Sequence, residues 1–138
     1  MFITHRSTFS AEVAGCQAEC GSASGMAAAG LTTLLHTPLE VSLIATSLAL
    51  QNILGMICDP VANRVEVPCM GKNIMAAVNA LACANMAVAG IPCVIPLDEV
   101  IETMDAVGKS IPRELRCTAL GGLSITPTAK AIEARLAG

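Results

Sequence analysis

The chain has no tryptophan, no tyrosine and only two phenylalanines, Phe2 and Phe9, although 54% of its 138 residues are hydrophobic. Aromatic rings therefore cannot fill its interior, which must be built from Ala, Leu, Ile, Val and Met. β-Branched alternation is also sparse, so the bias is towards helix rather than sheet. Basic residues are few: eight Lys and Arg, scattered singly in a chain of net charge −3, form no stripe along a phosphate backbone. This points away from a nucleic-acid partner. No GxGxxG or GxxxxGK[ST] loop is present to cradle a nucleotide. The opening MFITHRSTFSAEV lacks the basic region, apolar run and cleavage site of a secretory leader. A reducing cytoplasm is the expected compartment, and there seven cysteines read as metal ligands or small buried hydrophobes rather than disulfides.

What is present fits one all-α domain with a modest core. Residues 1–10 read as a loose N-terminal segment, with helical character from Ala11 onwards. The stretch AEVAGCQAECGSASGMAAAGLTTLL is dense in Ala and Gly, which implies close approach of another backbone or of a ligand. Thr37-Pro38-Leu39-Glu40 has the pattern of an N-cap, a proline at the first helical position and a capping-box glutamate. It predicts a helix from Pro38 to about Met56, ending beside the amides Gln51 and Asn52.

Between two apolar segments lies the polar loop GMICDPVANRVEVPCMGKN, residues 55–73, with Cys58 and Cys69 near its ends. Residues 73–97 then carry no charge and would be long enough to cross a membrane. Asn79 and Asn85 inside the run, Pro92 and Pro96 near its end and the absence of flanking basic clusters favour a buried helix instead. Asp98 and Glu99 open a helix that Gly108 and Lys109 close, and Thr126-Pro127 starts a short last one.

Cys16, Cys58 and Cys69 all sit at predicted helix ends or breaks, where free backbone amides could face sulfur. Their spacing is not a CxxC pair, so spacing alone says little. Cys83 and Cys93, in the uncharged run, are assigned to the core; Cys20, one turn from Cys16, is ambiguous. Glu19 and Asp59 adjoin two of these cysteines and are the candidate catalytic carboxylates, with packing roles as the alternative. Lys72 and Asn73 are candidates for binding a substrate carboxylate. His5 and His36 have no partner visible in the sequence.

The stretches GCQAECGSASGMAAAGL, LALQNILGMICDPVANRVEVPCMGKN, PLDEVIETM and GGLSITPTAKAIEARL resemble the α chain of bacterial iron-sulfur-dependent L-serine dehydratase, or L-serine ammonia-lyase. The likeness runs in one register from about Ser10 to Gly138. It implies a helical catalytic domain of Ala/Gly-rich buried helices around an iron-sulfur site. The three family cysteines that hold a [4Fe–4S] cluster fall on Cys16, Cys58 and Cys69. The implied reaction is β-elimination from L-serine to pyruvate and ammonia at an iron without a protein ligand. An L-cysteine desulfidase of the same cluster chemistry is the near alternative. A non-catalytic helical fragment, or a module whose cluster is closed by Cys20, is the distant one.

The resemblance also implies that residues 11–138 are the C-terminal half of the catalytic domain. The expected partners are the N-terminal half, a β chain and further copies in an oligomer. The general base is then expected on one of those partners. Four departures stand out: the upstream half has no counterpart, Ala18 and Cys20 replace a glycine and a valine, Gln51-Asn52 replaces a pair beginning with His or Glu, and Cys117-Thr118 replaces Glu-Thr.

Overall fold

The computed structural model describes residues 2–138 and is helical, with no strand among the described residues. In chain order the helices are α1 (Phe2–Arg6), α2 (Ala11–Ala14), α3 (Ser22–Leu34), α4 (Leu39–Gln51), α5 (Cys69–Val88), α6 (Leu97–Ser110) and α7 (Pro127–Ala137). A single π-helical turn, Gln17–Gly21, runs directly into α3.

The centre is a three-helix packing of α3, α4 and α5. Its contact layer is almost all alanine: Ala28, Ala45, Ala49, Ala80, Cys83 and Ala87. Small side chains let the backbones approach closely, which is how a chain without rings builds a dense interior. Gly21 and Gly25 lie against Leu50, Ile53 and Thr46 of the α4 region, so the glycine density there serves helix packing. A second cluster joins Ile3, Leu50, Val100, Ile101 and Met104, docking α6 on α4.

Several sequence expectations shift. The N-terminal segment expected to be loose forms α1, with Ile3 buried and Arg6 paired to Asp98 and Glu102 of α6. The capping box does not form: Pro38 is the N-cap, and the Thr37 hydroxyl donates to Thr32 O at 3.0 Å. α4 stops at Gln51, because the next residues turn towards Gly55, at φ +85°. The amides there serve packing: Gln51 donates to the Ser47 hydroxyl, and Asn52 donates to Asn79 Oδ1 at 2.7 Å. Asn79 in turn donates to Ser24 Oγ and Ala49 O, so one amide in the middle of α5 ties all three central helices.

α5 begins at Cys69, inside the polar loop, and is not wholly buried as expected. Ala76, Ala80, Cys83, Ala84 and Ala87 face inwards, whereas Ile74, Met75, Val78, Leu81, Met86 and Val88 are exposed. Its larger apolar residues thus lie on the outside. Among the described residues no helix is long and apolar enough to cross a membrane. Cys83 is core, as expected, but Cys93 lies half-buried in the connection to α6, its thiol donating to Ile95 O. α6 and α7 match expectation closely, and Thr126 caps α7 by accepting from Ala129 N.

One close approach positions the cysteine-bearing N-terminal region. A Cβ on Gly108 of α6 would stand 2.5 Å from Ala14 Cβ and 3.1 Å from Gln17 Nε2. Gly108→Ala is therefore expected to destabilise the fold by about 1–3 kcal/mol, read as a lowered midpoint in urea unfolding.

Candidate metal centre

Four chain segments bring five cysteines to one cavity of about 260 Å³, lined by Cys16, Cys20, Cys58, Cys69 and Cys117 together with Glu12, Glu19, Asn63 and Asn73. None of the five is in a disulfide. Each segment reaches the cavity for a local reason.

Cys16 follows Gly15, whose φ of +74° turns the chain sharply at the end of α2. A side chain at Gly15 would also collide with Met56 O, 2.7 Å from the ideal Cβ position. That approach lets Gln17 N donate to Met56 O at 3.0 Å, joining the Cys16 turn to the loop before Cys58. Gln17 itself is fully buried, its amide donating to Met104 O at 2.8 Å and accepting from Gly55 N at 2.9 Å. The π-helical turn that it opens carries Glu19 and Cys20 on the cavity wall; such turns are rare and concentrate at functional sites.

Cys58 is fixed by a short bridge to Arg116: its N–H donates to Leu115 O, and Cys117 N–H donates to Cys58 O, both at 2.8 Å. Cys69 is the first residue of α5, reached after the non-helical run that ends at Pro68. Behind the cavity, Asp59 Oδ1 pairs with Lys72 Nζ at 2.7 Å. Asp59 Oδ2 also accepts from Leu123 N at 2.8 Å, and Lys72 donates to Ile57 O at 2.7 Å. Burial works against the Lys72 charge, but the hydrogen bond and charge of Asp59 outweigh it and hold the ammonium above its ordinary pKa.

Burial also pushes the Cys69 and Cys20 thiols up. Cys58 is raised by its hydrogen bond with Cys16, then by burial, and Cys117 is pushed up to about 11 by burial and its bond with Cys58. All four are neutral thiols near pH 7, so metal binding must displace protons. The structure thus brings together Cys16, Cys58, Cys69, Glu19 and Asn73 of the residues expected from the sequence. Asn73 accepts weakly from Cys20 Sγ at 3.7 Å and donates to Cys69 O at 2.9 Å. Asp59 and Lys72 engage each other rather than line the cavity. Sequence reasoning missed Glu12, Asn63 and the thiol of Cys117 as lining groups; Cys117 was conspicuous only as a departure from the family pattern.

The Cys16, Glu19 and Cys20 ligand atoms all lie within 4.8 Å of one another, a group able to hold a metal ion. Thiol-rich donor sets select soft metals and iron-sulfur clusters over magnesium or calcium. Comparison with known proteins then decides the family, since the model for the serine dehydratase alpha chain matches residues 1–124. The chain belongs to this family. It is 46% identical to the probable L-serine dehydratase alpha chain of Bacillus subtilis over 99% of its own length and 45% of that protein. It is 44% identical to its counterpart in Latilactobacillus sakei over 100% of its own length and 66% of that protein. For the L-serine dehydratase alpha chain of Peptoniphilus asaccharolyticus the identity is 45%, over 94% of this chain and 44% of the relative. This serine dehydratase-family chain thus spans 44–66% of the length of these three relatives.

Proposed function

We propose that the chain is the cluster-binding part of an L-serine ammonia-lyase, which converts L-serine to pyruvate and ammonia. Cys16, Cys58 and Cys69 would hold a [4Fe–4S] cluster. The observation that carries this reading is the convergence of thiols from separate segments on one cavity, in a chain of the serine dehydratase family. When bound, such a cluster supplies a Lewis-acidic iron for the substrate hydroxyl. The chain's own groups supply the surroundings. Glu19, exposed on the cavity wall, would hold the substrate ammonium. Asn73, whose amide lines the cavity and donates to Cys69 O, would meet the carboxylate. Asp59 and Lys72 act as positioning residues: their ion pair ties the Cys58 loop to the first turn of α5, which carries Cys69.

The remaining length of the relatives, and a β chain, would complete the cytoplasmic enzyme and supply the general base. The exposed apolar face of α5 supports such a partner, because Ile74, Val78 and Leu81 are each more than half exposed. A Val78→Glu/Leu81→Glu double variant is expected to self-associate less than the parent in size-exclusion chromatography. It should also bind the upstream family segment on the order of a hundredfold more weakly.

Activity is tested by combining the reconstituted chain with that segment and a β chain, then measuring pyruvate from L-serine and sulfide from L-cysteine. Pyruvate from serine is expected. Turnover confined to cysteine would replace the dehydratase by a desulfidase.

A further inference from the structure

We propose that Cys117 is a fourth protein thiolate on the cluster, so that the resting site is closed at every iron. This rests on the cluster reading above. Four observations lead to it.

Cys117 lines the same cavity as Cys16, Cys58 and Cys69. Its main-chain N–H donates to Cys58 O at 2.8 Å, which holds the two residues side by side. Its φ of +61° is a left-handed conformation that a non-glycine residue adopts at a cost of about 1 kcal/mol or more, and such residues concentrate at functional sites. The turn is also held from outside: the Thr118 hydroxyl lies 3.1 Å from Arg113 O and from Glu114 O, and Arg116 Nη1 donates to Val13 O at 3.0 Å. Its surroundings fix a turn that would otherwise be unfavourable.

Cys20, whose sulfur groups with Cys16 and Glu19 within 4.8 Å, is the competing thiol. It shares one helical turn with Cys16, and its sulfur is directed at Asn73 Oδ1. Cys117 instead arrives from a fourth segment, bonded through its main chain to Cys58. With four thiolates no iron is free. A substrate oxygen would open the site by displacing the Cys117 thiolate, which would leave with its electron pair and with no change of oxidation state.

The test compares wild type, Cys117→Ala, Cys117→Ser and Cys20→Val, each reconstituted anaerobically with iron and sulfide and then oxidised mildly. Circular dichroism serves as the folding control, and Cys117→Ser nearly preserves side-chain size. Wild type and Cys20→Val are expected to keep their iron. Both Cys117 variants should lose roughly one iron in four and develop the electron paramagnetic resonance signal of a three-iron cluster. Equal iron loss from wild type and the Cys117 variants, or loss confined to Cys20→Val, would overturn the proposal while leaving the cluster reading intact. Failure of every protein, wild type included, to take up iron would overturn both.

Discussion

Asp59→Asn is expected to cost the fold about 3 kcal/mol, because it leaves the partly buried Lys72 cation without its counter-charge. Asp59 is 3% exposed, and both its oxygens are used, one on Lys72 Nζ and the other on Leu123 N. The amide keeps the shape and can still accept from Leu123, so the loss isolates the charge. Lys72 would keep only the Ile57 carbonyl as a partner. The pH dependence carries a second signature. A lysine whose folded pKa is raised adds stability below its ordinary value of 10.5, and that stability fades as pH climbs through the folded value. In Asp59→Asn the unpaired lysine can shed its proton more easily. The gap between variant and wild type should therefore narrow above the ordinary lysine value, which urea unfolding at neutral and alkaline pH would show.

Cys58→Ser is expected to have the largest functional effect. It should weaken iron retention by more than roughly a hundredfold, beyond the 10–100-fold typical for groups that merely support ligands. Cys83→Ser is the matched control. Cys83 is fully buried too, but in the alanine layer of the central helices, with Asn52 and Asn79 as its polar neighbours. Serine there should lower stability modestly and leave iron content unchanged. Equal iron loss from both variants, measured by colorimetric iron assay after gel filtration, would mean that Cys58 acts through folding alone.

Local signals in the sequence located the parts of the fold that local chemistry controls. Asp98 and Glu99 at one end and Lys109 at the other mark α6, and Thr126-Pro127 marks the start of α7. The end of α4 was not legible. Leu50 and Ile53 continue the apolar pattern into the turn, and the chain leaves the helix because Gln17 takes the Gly55 N–H. The outward face of α5 was misread for a related reason. An uncharged run looks buried on every side, yet only its small residues meet neighbours within this chain.

The site divides along the same line. Cys58 and Cys69 stand out because helix breaks frame them, Glu19 because it adjoins Cys20, and Asn73 because it follows soon after Cys69. Cys117 reaches the cavity through the pairing of Arg116 with Cys58, a contact distant in sequence that no local pattern encodes. Asp59 and Lys72 read as possible substrate groups because they are charged and close to cysteines. Only the three-dimensional arrangement shows them neutralising each other behind the wall.

The central proposal is that this cavity would hold a four-iron cluster able to engage serine. Its most direct test is Mössbauer spectroscopy of the chain reconstituted anaerobically with ⁵⁷Fe, before and after adding L-serine. The account predicts roughly four irons per chain and a shift of about one quarter of the spectrum when serine is added. A chain that stays colourless and retains no iron, or a full cluster whose spectrum serine leaves unchanged, would contradict it.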